Sequence, residues 1–192
     1  MVVEFDPAQF ARLQPRHAVQ FYQNEGHMVK ALVAWCERSL RVGGGAVVVA
    51  TEPHRAEFKN GLRLSGLEPD RFLDAGRLAL LDARETLDRL LVRGQPSAER
   101  FEVVVMPIVR DLQRAVGSPD KPVRAWGEMV DLLWKEGEFD AASALESLWT
   151  SAVRASGIEL LCSYDVSRLV LKSDQRIVQA KSEHTEIVVA DE

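Results

Sequence analysis

The chain has 192 residues, 46% of them hydrophobic and 28% charged, and a formal net charge of −5. That length and apolar content supply one substantial core and exclude disordered and fibrous classes. The acidic balance excludes a broad phosphate-binding surface, and direct nucleic-acid binding with it.

The run Met1-Val2-Val3-Glu4-Phe5-Asp6 lacks a basic segment followed by an apolar one, and no apolar run approaches about 18 residues. The two cysteines, Cys36 and Cys162, lie in apolar surroundings without CxxC spacing, as reduced thiols do. These features predict a soluble, cytoplasmic protein with no membrane partner. Residues 1–16 read as an N-terminal extension, and the first strand is predicted over His17 to Tyr22. Asn24 is placed to cap a helix running to about Arg41. That helix carries Val29, Val33, Cys36 and Leu40 on one face and Met28, Leu32 and Trp35 on another, so it should be covered on both sides. The second strand, Ala46 to Ala50, follows Gly43-Gly44-Gly45 and has no polar alternation, the mark of a central strand buried on both faces.

Pro53 opens the next helix, which runs to about Leu64 and ends near Gly66. A short third strand is predicted over Leu78 to Leu81, then a helix over Thr86 to Val92. Phe101 to Met106 has strand propensity, yet Phe101, Val105, Ile108 and Leu112 mark a helix face, and helix is the reading adopted for Ser97 to Val116. Ser118-Pro119-Asp120-Lys121-Pro122 is a turn before a strand over Val123 to Met129. A helix pair broken at Glu136-Gly137 follows, with Leu145, Leu148, Trp149, Ala152 and Val153 at core spacing in its second member. The last strong strand is Ile158 to Tyr164. Beyond it, residues 167–192 form an accessory segment or tail. Lys172 to Glu186 is largely polar, and the apolar island Ile187-Val188-Val189 is either part of a helix and tail or an added edge strand, joining the sheet of its own or another subunit.

Alternating strand and helix runs are the order of βαβ units, so the predicted fold class is α/β, a three-layer αβα arrangement with a mainly parallel central sheet. Ligands of such sheets bind beyond the carboxyl ends of the strands. No GxxxxGK[ST] sequence is present, which argues against ordinary ATP hydrolysis. Candidate ligand-binding residues near the predicted strand ends are Tyr22, Asn24, Glu52, Glu128 and Tyr164, with His17 and Trp126 beside them. Each has a structural alternative. His17 is the more ordinary backbone-bonding histidine, Tyr22 is equally a core aromatic with a wet hydroxyl, and Glu52 and Glu128 either share a polar ligand or pair with Arg55, Arg84 or Arg124. Cys36 and Cys162 read as buried inert thiols. A Cys–His pair would need partners that converge only in space. His27 and His54 form no metal-binding spacing, and no metal or cofactor is expected.

His17-Ala18-Val19-Gln20-Phe21-Tyr22, Thr51-Glu52-Pro53, Arg124-Ala125-Trp126-Gly127-Glu128-Met129-Val130-Asp131-Leu132-Leu133-Trp134 and Leu160-Leu161-Cys162-Ser163-Tyr164 resemble, in order, the motifs of the MEDS domain. This is the sensory domain shared by methanogen and methylotroph signalling proteins and the dichloromethane regulator. The resemblance covers residues 17–166. It implies a bacterial or archaeal protein with a RecA/KaiC-like fold and a degenerate P-loop, deployed beside histidine kinases and transcription regulators, with small hydrocarbon derivatives as ligands. Where KaiC-like ATPases place the phosphate loop, this chain has Tyr22-Gln23-Asn24-Glu25-Gly26-His27. Where they carry paired glutamates after the second strand, it has Glu52 followed by Pro53. Glu128 approximately matches their aspartate near the end of the fourth strand.

Three functions fit these residues. The leading one is a non-enzymatic sensor that binds a small molecule over the strand ends and signals through protein contacts, as a monomer or a homodimer. The second is an interaction module with a vestigial cleft. The third is an enzyme using Glu52 and Glu128 on a nucleotide.

Overall fold

Val47, Val48 and Val49 lie on an interior strand, one in from the edge, of a sheet in which every neighbouring pair of strands runs parallel. The structure is a computed structural model and describes residues 2–4, 17–167 and 186–189. Seven strands make up this sheet among the described residues: β1 (Val2–Glu4), β2 (His17–Tyr22), β3 (Gly45–Ala50), β4 (Leu78–Asp82), β7 (Val123–Gly127), β8 (Glu159–Asp165) and β9 (Glu186–Val189). Their order across the sheet is β1-β9-β2-β8-β7-β3-β4. A parallel pair cannot be closed by a tight turn, so the connections cross over through helices, and all carboxyl ends emerge on one edge.

Helices cover both faces, which is why β2, β3 and β7 are buried along their whole length. On one face, α1 (Glu25–Arg41), α2 (Glu52–Leu64) and α3 (Pro69–Asp74) pack on Ala46, Val48, Trp126 and Leu161. On the other, α4 (Ala83–Leu90), α5 (Ala98–Val104), α6 (Met106–Val116), α7 (Met129–Glu136) and α8 (Phe139–Ser156) pack on Val19, Val47, Val49 and Ala125. The chain is therefore α/β in three layers.

The two apolar faces read from the sequence of α1 have separate uses. Met28, Leu32 and Trp35 are fully buried, and Val33 meets α2 where Gly61 lets the two helices approach. Arg124 is the deepest cation of this layer. Its guanidinium lies 4.1 Å over the Trp35 ring, donates to the Trp35 carbonyl at 2.9 Å and to Glu159 at 2.7 Å, so the buried charge is both paired and stacked. Gly44 is where the end of α1 touches β7: a Cβ there would stand 2.1 Å from the Pro122 carbonyl oxygen.

Several boundaries differ from the sequence reading. The helix predicted over Thr86 to Val92 ends at Leu90, and Leu91–Val92 (β5) pairs antiparallel with Gln95–Pro96 (β6). Arg93 and Gly94 both take positive φ, 53° and 80°, the two-residue turn that matches strand twist. The helical stretch over Ser97 to Val116 is two helices. It breaks at Val105, and Pro107 falls in the first turn of α6, where its missing N–H costs nothing. The strand predicted to Met129 stops at Gly127, since Glu128 turns out of the ladder (φ −112°, ψ 10°) and Met129 begins α7. Ile187-Val188-Val189 belongs to β9, which pairs with β1 on one side and β2 on the other and so is not an edge strand. Expectations for residues 168–185 and 5–16 lie outside the described residues.

Candidate functional site

At the carboxyl edge, neighbouring strands β3 and β7 send their chains to opposite faces, β3 into α2 and β7 into α7. Open α/β sheets bind ligands where connections diverge in this way. Glu128 stands at this divergence, 2% exposed. One carboxylate oxygen accepts the backbone N–H of Thr51 in a short hydrogen bond, and the other lies 2.5 Å from Nδ1 of His54 in the first turn of α2. The Glu128 N–H in turn donates to the Val49 carbonyl at 3.1 Å. The carboxylate thus ties the two diverging strands together. The hydrogen bond to Glu128 raises the His54 pKa against the opposing effect of burial, and the negative fields of Glu128, Glu25 and Glu57 add to it.

A second polar group lies beside the first, at the ends of β2 and β8. Tyr22, 1% exposed, donates its hydroxyl to Asp131 at 3.2 Å. The other Asp131 oxygen accepts the backbone N–H of Asp165 at 2.8 Å, and Lys135, one turn further along α7, reaches Asp131 at 2.8 Å and Asp165 at 3.4 Å. Burial raises the Asp131 pKa, though the Lys135 ammonium and the Asp165 N–H pull against it. Burial, followed by the charges of Asp131, Asp165 and Glu128, holds the Tyr22 hydroxyl far above its ordinary pKa, so it stays a donor. On Lys135 burial acts to lower the pKa, but the two aspartates outweigh it and keep the ammonium charged.

Tyr22 and Glu128 are therefore brought into one charged neighbourhood. Asn24 stands next to it and caps α1, its side-chain oxygen accepting the His27 N–H at 3.2 Å. Only Gln23 and Asn24 separate the end of β2 from the start of α1. Glu52 is the exposed first residue of α2. Trp126 is fully buried in the sheet and donates to Ser163 at 2.9 Å, which donates in turn to Gln20 at 3.1 Å. The amide nitrogen of buried Gln20 has no hydrogen-bond partner among the described residues. His17 and Tyr164 lie elsewhere. His17 begins β2, roughly 16 Å from Tyr22 at about 3.3 Å per residue, and Tyr164 faces the opposite side of the sheet from Tyr22, donating to Glu146 at 2.6 Å.

The arginines considered as partners for Glu128 are engaged with other groups: Arg55 with Asp82, Arg84 with Glu136 and Asp88, Arg124 with Glu159. His54, Asp131, Lys135 and Asp165 were not among the sequence candidates. Part of the signal was legible, because Glu128, Asp131 and Lys135 recur at helical spacing along one stripe of α7. His54 carried no such mark. Cys36 is fully buried, and burial pushes its thiol up to about 12 despite the neighbouring Arg124 charge.

A family model described as MEDS, the MEthanogen/methylotroph, DcmR Sensory domain, matches residues 16–181. No curated protein matches the chain. No helix among the described residues is long and apolar enough to cross a membrane.

Proposed function

The chain belongs to the MEDS family of sensory domains, and from that premise we propose that it is a non-enzymatic sensor that binds a small molecule at the carboxyl ends of the strands. The observation that carries this reading is the adjacency of two buried polar pairs there, Glu128 with His54 and Tyr22 with Asp131, the second joined from the surface by Lys135 and Asp165. Buried polar groups that satisfy one another are bistable under a competing ligand, because a ligand atom that takes one partner obliges the other to move. The Gln20 amide, without a partner among the described residues and two residues before Tyr22 on the same face of β2, offers a further donor. The resemblance to a family that senses small hydrocarbon derivatives makes a small ligand with a polar atom, oriented by these groups, the proposed class.

The RecA/KaiC-like likeness and a degenerate P-loop belong to the same proposal. A connection of two residues between β2 and α1, followed by Glu25, gives a triphosphate neither a backbone cradle nor a lysine. Mg-ATP is therefore expected to show no micromolar binding in calorimetry and no phosphate release. Signalling through a histidine kinase or transcription regulator in the cytoplasm completes the reading, with the moving groups on α2 and α7 carrying the change to the surface.

Native mass spectrometry of the protein purified from its own host tests the proposal. A retained small mass, lost on Tyr22→Phe or Glu128→Gln, supports the sensor. A retained nucleotide or a chain without any bound mass opposes it.

A further inference from the structure

On the face of the sheet under α8, away from the carboxyl edge, three side chains of different chemistry converge. His17 from the start of β2, Cys162 from β8 and Glu146 from α8 are all buried. His17 Nε2 lies 3.1 Å from Glu146 Oε2, Cys162 Sγ lies 3.3 Å from the same oxygen, and Sγ and Nε2 are 3.5 Å apart. The ligand atoms of a tetrahedral zinc ion, at ordinary Zn–N, Zn–O and Zn–S lengths, stand about 3.3–3.6 Å from one another. The triangle therefore already has the dimensions of one face of such a tetrahedron.

We propose that His17, Glu146 and Cys162 form a binding site for a divalent cation of the zinc class. The donor set fits that class, since imidazole and thiolate select zinc over magnesium or calcium, and the two anionic ligands neutralise the ion in a place where net charge would be costly. The surrounding bonds set the ligands as metal sites require. Thr150, one turn after Glu146 on α8, lies 3.0 Å from His17 Nδ1, so an Nδ1–H donating to its hydroxyl leaves the Nε2 lone pair facing Glu146 and Cys162. The Tyr164 hydroxyl donates to Glu146 Oε1 at 2.6 Å and leaves Oε2 to the other two groups. Metal binding converts the Cys162 thiol to a thiolate and releases its proton to solvent. The bound ion joins β2, β8 and α8, three elements contributed by distant parts of the chain.

The full chain, unfolded with a chelator and refolded with either Zn2+ or Co2+, provides the test. The expected result is a single equivalent retained after dialysis, with cobalt showing a thiolate charge-transfer band and zinc raising the unfolding temperature. Cys162→Ser should abolish the band, His17→Gln should weaken binding about tenfold or more, and Cys36→Ser should change neither. Circular dichroism establishes that each variant folds. If Cys162→Ser does not fold, the retained equivalent and band in the native sequence, weakened in His17→Gln, carry the test alone. Refolded native chain that retains no metal, or a band that survives in Cys162→Ser, overturns the proposal in favour of a purely hydrogen-bonded triad.

Discussion

Glu128 Oε2 and His54 Nδ1 stand 2.5 Å apart where β3 and β7 diverge, joining residues 74 positions apart in the chain. Both side chains are nearly excluded from water, at 3% and 10% exposure. The pair is thus the main electrostatic link between α2 and the start of α7. Because the folded His54 pKa is raised, its contribution to stability is fully present below the unfolded value of about 6.5 and is lost as pH rises through the folded value. His54→Gln should therefore cost more at about pH 6 than at about pH 9, with a loss near 3 kcal/mol at the acidic end, the range for breaking a buried pair. Urea unfolding at the two pH values measures it, and an equal loss at both would contradict the linkage.

Tyr22→Phe removes the donor to Asp131 while leaving the ring in place. A hydrogen bond to a charged group contributes about 1.5–3 kcal/mol, and a loss of that size is expected. Asp131→Asn should be non-additive with it by at least about 0.5 kcal/mol, because the two groups share one network with Lys135. A double-mutant cycle in denaturant gives the coupling, and strict additivity would show the groups to be energetically independent.

Gly44 and Gly66 should respond to alanine for different reasons. At Gly44 the added methyl meets the Pro122 carbonyl at 2.1 Å and the Ser39 hydroxyl at 2.5 Å, so either β7 or the end of α1 must shift. Overpacking of this kind costs about 1–3 kcal/mol, and the value for Gly44→Ala should fall at the upper end. Gly66 has open space but a φ of +78°, so Gly66→Ala should cost only about 1 kcal/mol of backbone strain. Thermal unfolding of the two variants should rank them in that order.

Ile187→Pro tests the placement of β9. Its backbone pairs with Val2 on one side and Val19 on the other, and proline removes a ladder donor and is tolerated only at sheet edges. Hydrogen exchange is expected to accelerate in residues 2–4 and along β2, while β3 and β7 keep their protection. Unchanged exchange at residues 2–4 would place β1 outside the control of β9.

What the sequence determined by itself was the order and kind of the elements. The run Ala46 to Ala50 had to be a strand buried on both faces because it has no polar face, Asn24 and Pro53 marked helix starts, and Gly137 divided α7 from α8. Those signals are local, set by side-chain period and by the backbone limits of proline and glycine. The motifs from His17 to Tyr164 also sufficed to place the chain among MEDS sensory domains. Only the tertiary structure decided which polar groups meet. Tyr22 finds Asp131 at a separation of 109 residues, and His17 finds Cys162 at 145. Periodicity tells which face a side chain occupies, but its partner depends on strand order, and the insertion of β7 and β8 between β2 and β3 is a product of the whole packed sheet. For that reason His17 and Tyr164, candidates for the same site as Tyr22, belong to a separate buried group beneath α8, and Glu128 meets a histidine where a polar ligand or an arginine were the two readings.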